Sequence, residues 1–477
     1  MLKKIINHLP IGILLLLLVQ ACKVPTLVEK TANNTTPQGF ANAKDTAQAA
    51  YINWQAYFKD PALQALIDTA LRNNQELLIF TQEIAVTQNE ALARKGEYLP
   101  FVRLGGGMGV DKASRYTVRG ATEHNVPLSE TKAFPDPVPD FLVAAQASWE
   151  VDIWKKLHNA RQAAVLRYLA TQEGRNFMVT QLVAEIAHAY YELLAFDNQL
   201  EIVRNNIQLT EKALSIVKLQ KEAARATELA VKRFEAELLK NQALQYNLLQ
   251  SIVEAENRIN FLTGRFPQPV QRNAQTFNEV LPDTTRAGVP AQLLVNRPDI
   301  RQAELEIAAA KLDVKSARAN FLPGLRLTAA LGNQAVTPGF FFKLPESLLL
   351  GLAGELVGPL VNKNAIKAAY FTANAKQTQA VYHYEQTILN ACIEVTNQLA
   401  NLDNLQNRYA LKERQVQTLN ESVSIANQLF TGARADYGEV LLTQRDALES
   451  RMELIETKAA QFNVWINLYR SMGGGWK

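Results

Sequence analysis

Residues 141–153 read Phe-Leu-Val-Ala-Ala-Gln-Ala-Ser-Trp-Glu-Val-Asp-Ile. Phe141, Val143, Ala145, Ala147, Trp149, Val151 and Ile153 are apolar, whereas Leu142, Ala144, Gln146, Ser148, Glu150 and Asp152 are mostly polar. A period of two sustained over about 13 residues predicts a strand of membrane-spanning length with one greasy and one wet face. Near Lys156 the period becomes helical and stays so to about Ala223, with no proline and Gly174 as the only glycine. At 1.5 Å per residue such a helix reaches on the order of 100 Å, far more than a globular domain needs.

Upstream, Phe101–Asp111 alternates in the same way. Val102, Leu104, Met108 and Val110 share one face, while Arg103, three glycines and Asp111 share the other. Lys112–Asp140, rich in Pro and polar residues, predicts a surface loop between the two strands. Trp54–Lys95 carries apolar residues at helical spacing, with Asp60 placed as N-cap, Pro61 in the first turn and a stop before Leu99-Pro100. Downstream, Glu222–Thr227 breaks the long helix. A return helix follows over Glu228–Leu262, closed by Thr263-Gly264, and a proline-rich loop ends at Pro290.

The pattern then restarts. Val295–Ile300 opens a helix that stops at Leu322-Pro323. Alternation follows at Leu325–Gly332 and Ser347–Val357, then a helix over Lys363–Leu429, a break at Gly432–Gly438 and a last helix ending near Ser471. Local identities support a duplication: Leu99-Pro100 with Leu322-Pro323, Asn159-Ala160 with Asn364-Ala365, and Ala224-Arg225-Ala226 with Ala433-Arg434-Ala435. The implied division is 1–21 signal peptide and 22–53 tether. The first repeat is 54–290, with strands about 99–112 and 140–154 and a helix hairpin 156–264. The second is 291–477, with strands about 324–334 and 347–358 and a hairpin 362–472.

Four spanning strands cannot satisfy their own edges in lipid, and a closed barrel needs about eight or more. The chain is therefore expected to oligomerise. Two copies give eight strands and three give twelve. Eight enclose little beyond side chains, so a transport role favours three. The fold expected on these grounds is a membrane β-barrel of four strands per protomer, continuing into long α-helical coiled-coil hairpins.

Lys and Arg number 50 against 46 acids, so the charge of +4 gives no argument for nucleic acid. Lys3 and Lys4 precede an apolar run at Leu9–Val19, too short for a spanning helix but suited to a signal peptide. Its end, Val19-Gln20-Ala21-Cys22, resembles a lipobox. Cys22 is thus expected to be lipidated, carrying a diacylglycerol thioether and an N-acyl chain such as palmitate. Cys392 then has no disulfide partner and is read as a small buried apolar residue inside a helix.

Asn296–Glu304, Ala319–Pro323, Ser148–Asp152 and the ending Leu468–Trp476 resemble the signature segments of TolC-type outer-membrane efflux proteins. The lipobox and Gly-Gly-Gly-Trp point to the lipoprotein (OprM/NodT-like) branch. The resemblance covers essentially all of the mature chain. It implies a homotrimer with a 12-stranded outer-membrane barrel, a long periplasmic α-helical coiled-coil barrel with a small mixed equatorial region, and docking to a periplasmic adaptor and an inner-membrane pump of RND type. It also implies passive export of drugs or other small molecules. Two stretches depart from the family: Lys155 follows Trp154 where glycine is common, and Leu441, Leu442 and Thr443 align best where an acidic ring often sits.

The gate candidates are Arg434, Asp436, Tyr437 and Glu439 at the second hairpin tip, with Arg225 and Glu228 at the first. The plainer reading of both tips is a helix-hairpin turn with solvated charges. Trp149, Glu150 and Asp152 are read as interface anchors and a helix cap, and Asn296–Ile300 as a helix start. Gly105–Gly109 lacks the sixth position and the following helix of a dinucleotide fingerprint. The five histidines form no zinc motif, five methionines make no metal relay, and no Ser/His/Asp set is present. No enzyme and no cofactor beyond the lipid are expected. The competing function is a non-porous structural or adaptor coiled-coil lipoprotein, which would have no use for four alternating strands.

Overall fold

The computed structural model describes residues 24–28, 30–40, 53–278, 289–432 and 434–476. The expected signal peptide and Cys22 lie outside the described residues. The first half contains α1 (Trp54–Tyr57), α2 (Pro61–Asn73), α3 (Gln75–Glu97), β1 (Phe101–Asp111), α4 (Val118–Asn125), β2 (Val138–Val151), α5 (Lys156–Glu222) and α6 (Glu228–Leu262). The second contains α7 (Pro290–Asn296), α8 (Pro298–Ala319), β3 (Gly324–Ala335), α9 (Pro338–Phe341), β4 (Leu348–Val357), α10 (Asn364–Thr431) and α11 (Tyr437–Ser471). The order strand, strand, long helix, return helix therefore occurs twice. The expected single helix over Trp54–Lys95 is three helices, and the 112–140 loop holds α4 and the start of β2. Cys392, expected to be buried, is half-buried in α10.

By contact the described chain separates into two compact units, each drawn from both halves. One contains Ala85–Leu169 and Leu305–Tyr382, the other Ala32–Ile84, Ala170–Glu304 and His383–Lys477.

In the first unit the strands form one antiparallel sheet in the order β1-β2-β3-β4. The β2–β3 register pairs Gln146 with Ala330 and Glu150 with Arg326. The β1–β2 register pairs Arg103 with Gln146, and the β3–β4 register pairs Arg326 with Glu355. Directly opposed residues share a face and alternate residues lie opposite. One face therefore gathers Arg103, Gln146, Ser148, Glu150, Arg326, Thr328 and Glu355. The other gathers Leu104, Met108, Val143, Trp149, Leu327, Leu350 and Leu352.

The second unit holds the main apolar core. Tyr57 stacks on Trp465 at 4.5 Å and on Tyr469 at 4.1 Å, and Tyr191 stacks on Phe462 at 4.1 Å. Asp60 caps α2 as its sequence position predicted, accepting from the Ala62 N–H at 2.8 Å. The same carboxylate accepts from the Tyr190 hydroxyl at 2.7 Å and the Thr276 hydroxyl at 3.0 Å. Burial pushes the Tyr190 phenol far up, and the Asp60 carboxylate adds to the shift. It therefore stays a donor.

Candidate functional site

β1, with 11 residues, is about 36 Å long, which at a tilt near 45° crosses a hydrocarbon core of roughly 26 Å. Its apolar face is bare: Leu104 and Met108 are each 80% exposed, and Leu352 on β4 is 82% exposed. So large an apolar patch belongs against lipid rather than water. β1 and β4 form the two edges of the sheet, and in lipid an unpaired edge costs several kcal/mol per unsatisfied group. No described helix is long and apolar enough to cross a membrane. The bare apolar face makes the sheet one part of a membrane wall, and its two open edges close only with sheets from other copies.

The junction below the sheet is built from the residues that follow β2. Asp152 leaves the ladder and caps α5: its carboxylate accepts from the Leu157 N–H at 3.1 Å and the His158 N–H at 2.8 Å. The His158 ring lies 2.8 Å from the same carboxylate. Burial works to raise the Asp152 pKa, but these donors outweigh it and hold the carboxyl below its ordinary value. A lowered carboxyl contributes stability above its unfolded pKa and loses it as pH falls through the folded value. Asp152→Ala is accordingly expected to cost about 1–2 kcal/mol near neutral pH. In thermal melts at stepped pH, the gap from wild type should narrow below about pH 4. Nearby, Trp149 donates from Nε1 to the Tyr98 carbonyl at 2.9 Å, Trp154 donates to the Pro323 carbonyl at 2.8 Å, and Glu150 pairs with Lys156.

In the second unit the duplication shows as two equivalent joints. The side-chain amide of Asn74, between α2 and α3, donates to the Leu262 carbonyl at 2.9 Å, at the end of α6. Arg297, between α7 and α8, donates to the Ser471 carbonyl at 3.0 Å, at the end of α11. In each case a side chain at a helix break satisfies a carbonyl orphaned at the end of a return helix. Neither joint is legible in the sequence. The only local signal was Asn74 itself, which also caps α3 by accepting from the Leu77 N–H at 3.0 Å.

The hairpin tips carry the six gate candidates, and the structure brings both tips to one small apolar cluster. Leu214, Val217, Val231 and Phe234 of the first hairpin pack with Val440 of the second, and Tyr437 lies against them. Thr227 caps α6 through the Ala230 N–H at 3.2 Å, and Asp436 caps α11 through the Gly438 N–H at 3.4 Å. Glu228 pairs with Lys221, which draws its carboxyl below the ordinary range. Glu439 is exposed in the first turn of α11. Arg225 and Arg434 occupy equivalent places. The N–H of Arg225 donates to Gln220 and that of Arg434 to Leu429, each at 2.8 Å. Both side chains are exposed, and neither has a side-chain partner among the described residues.

The turn at Ala224 adopts φ 54°, a left-handed conformation that glycine occupies more cheaply. Ala224→Gly is expected to stabilise the tip by about 0.5–1 kcal/mol. Hydrogen exchange should then slow at residues 214–231.

Among the described residues no group of three His, Cys, Asp or Glu side chains is placed to hold a metal ion.

A sheet with one lipid face, one polar face and two open edges, joined to paired helical hairpins, defines a channel-forming membrane protein that assembles from several copies. The chain belongs to the outer membrane efflux protein family, whose model matches residues 66–265 and 289–474. It is 28% identical to the pyoverdine export outer membrane protein OpmQ of Pseudomonas aeruginosa over 92% of this chain and 90% of that protein. It is 27% identical to the cation efflux system protein CusC of Escherichia coli, covering 92% and 91%. Its fold matches the solved outer-membrane channel OprN with a TM-score of 0.84 at 20% identity, covering 95% and 99%. The protein is an outer-membrane efflux channel, and proteins of its family are channels rather than enzymes.

Proposed function

We propose that three copies close a 12-stranded barrel, β4 of each pairing with β1 of the next, and that this trimer is the outer-membrane duct of a tripartite exporter. A periplasmic adaptor docks on the helical part, and an inner-membrane pump of RND type supplies the drive. The observation that carries this reading is the pair of open edges on a sheet whose apolar face is bare. A rotation that joins unlike edges generates a ring, and three sheets leave a water-filled lumen that two do not. A non-porous lipoprotein would leave that apolar face unexplained.

The six tip residues form the closed end in this reading. Arg225 and Arg434, without side-chain partners among the described residues, are cations available to acidic groups of a neighbouring copy or of the adaptor, and adaptor binding shifts the closed–open equilibrium. Purified protein in planar bilayers tests the pore. Steady conductance is expected, with a several-fold rise in the double variant Arg225→Ala, Arg434→Ala; silence in both would sink it.

The same proposal includes a lipid on Cys22. The Lys30 carbonyl accepts from Gln377 at 3.1 Å, and the Lys30 ammonium lies 3.6 Å over the Tyr382 ring. Gln377 is about 20 Å along α10 from its start at Asn364. Eight residues of extended chain span up to about 28 Å. Cys22 can therefore reach the level at which β4 gives way to α10, where the membrane surface lies in this reading. Mass spectrometry of the N-terminal peptide checks the modification.

A further inference from the structure

We propose that Arg103 and Phe101 form, in each copy of the barrel wall, a subsite for amphipathic organic anions. The proposal rests on the reading of the sheet as the wall of a water-filled pore. Arg103 lies on the polar face, opposite Gln146. The Gln146 Oε1 accepts from Arg103 Nε at 3.0 Å and from Nη2 at 2.7 Å. That fork fixes the guanidinium plane and uses two of its five N–H groups. The others have no partner among the described residues. They face a concavity of about 530 Å³ whose lining includes Phe101, Arg103, Gln146, Ser148 and Thr328.

Small residues make the room. Ala330 and Gly351 continue the Arg103 row across the sheet, and Gly105 and Ala144 occupy the next row outward. Phe101 sits two residues from Arg103 on the same face and is 65% exposed. An aromatic ring on the wet face of a strand is out of place for a wall that meets only water and ions. Beside a cation it offers a stacking surface for a ligand that is both apolar and anionic.

Acids on this face are distant along the strands. Glu150 lies four residues from Gln146, about 13 Å, and is paired with Lys156; Glu355 lies in the same row as Glu150, with Arg326 between them. Asp140 lies six residues the other way, about 20 Å, and accepts from the Gln334 amide at 2.9 Å. Both separations exceed the screening length of about 8 Å at physiological salt. The stretch of lumen around Arg103 therefore carries positive charge alone. Three copies place three such cations at one level, and rings of Arg or Lys favour anions in pores.

Planar-bilayer recordings under a KCl gradient at low salt are compared for wild type, Arg103→Glu and Phe101→Ala. In parallel, a pyrene trisulfonate dye is titrated by anisotropy into the detergent-solubilised full chain, which needs no open tip. Arg103→Glu is expected to lower the anion-to-cation permeability ratio about threefold or more, an effect that fades at 1 M KCl as screening tightens. It should weaken dye binding about tenfold. Phe101→Ala is expected to weaken the dye about threefold and leave the KCl ratio unchanged. An Arg103→Glu protein that conducts and binds the dye as wild type does overturns the subsite. Silence of every variant in bilayers counts against the pore itself, and the dye titration then decides the subsite alone.

Discussion

Replacing Arg297 by alanine is expected to cost the folded protein about 3–5 kcal/mol. Arg297 is only 5% exposed. Its Nε and Nη2 donate to the two Asp299 carboxylate oxygens at 3.0 and 2.7 Å. Its Nη1 donates to Glu394 at 2.7 Å and to the Ser471 carbonyl at 3.0 Å. Burial works against the charge, but the Asp299 and Glu394 carboxylates outweigh it, and the guanidinium pKa is raised. Truncation leaves the largely buried Asp299 without its counter-charge and the α11 terminus without a donor.

Two companions separate this from a general packing loss. Arg297→Lys keeps the charge but cannot make the planar fork, so an intermediate loss is expected. Glu394→Ala should cost under about 1 kcal/mol, because that side chain is 43% exposed and water replaces the partner. Thermal unfolding in detergent, followed by circular dichroism with the trimer fraction read on semi-native gels, checks all three. Equal losses in Arg297→Ala and Glu394→Ala would refute the assignment of the cost to the buried Arg297–Asp299 pair.

The strands were legible because two different solvents act on them. Lipid on one side and water on the other impose a period of two, and that period survives in composition even where β1 carries four glycines. Their ends were less legible. β2 stops at Val151 because Asp152 is drawn out of the ladder to cap α5, and alternation alone cannot see a side chain change partners. The break at Asn74 was hidden for a related reason. Apolar spacing continues on both sides of it, since the cap exchanges one set of hydrogen bonds for another without altering which residues are greasy.

What sequence could not supply is long-range pairing. Arg297 was readable only as part of a helix start; its acid Glu394 is 97 residues away and the carbonyl it caps is 174 away. Alternation alone puts Arg103 on the wet face, where the register also has it. Its bond to Gln146, however, depends on a register across a loop whose length does not fix it. The hairpin tips were located by their breaks, while their packing around Phe234 and Val440 required the two halves to be brought together. Nor does one sheet dictate three copies rather than two. That number follows from the need for a lumen.

The same duplicated joints set the second large expectation, an alanine at Gly473. This glycine adopts φ +85°, and a Cβ there would lie 2.7 Å from the Asn296 carbonyl oxygen and 3.1 Å from the Arg297 Cα. Both neighbours are backbone, so no side chain can swing away. The left-handed conformation costs an L-residue about 1–2 kcal/mol, and overpacking a closed site adds about 1–3 kcal/mol. A total loss near 3 kcal/mol is expected. Gly264 repeats the arrangement at φ +66°, with the Asn73 carbonyl oxygen in the place of Asn296. It should respond in the same direction. The discriminating control is Gly432→Ala at the second tip, where a Cβ would meet nothing closer than 3.4 Å; that variant should fall within about 1 kcal/mol of wild type. Urea unfolding of the three variants orders them. If Gly473→Ala and Gly432→Ala unfold at the same midpoint, the close approach of the return helices to the joints is not what holds those joints together.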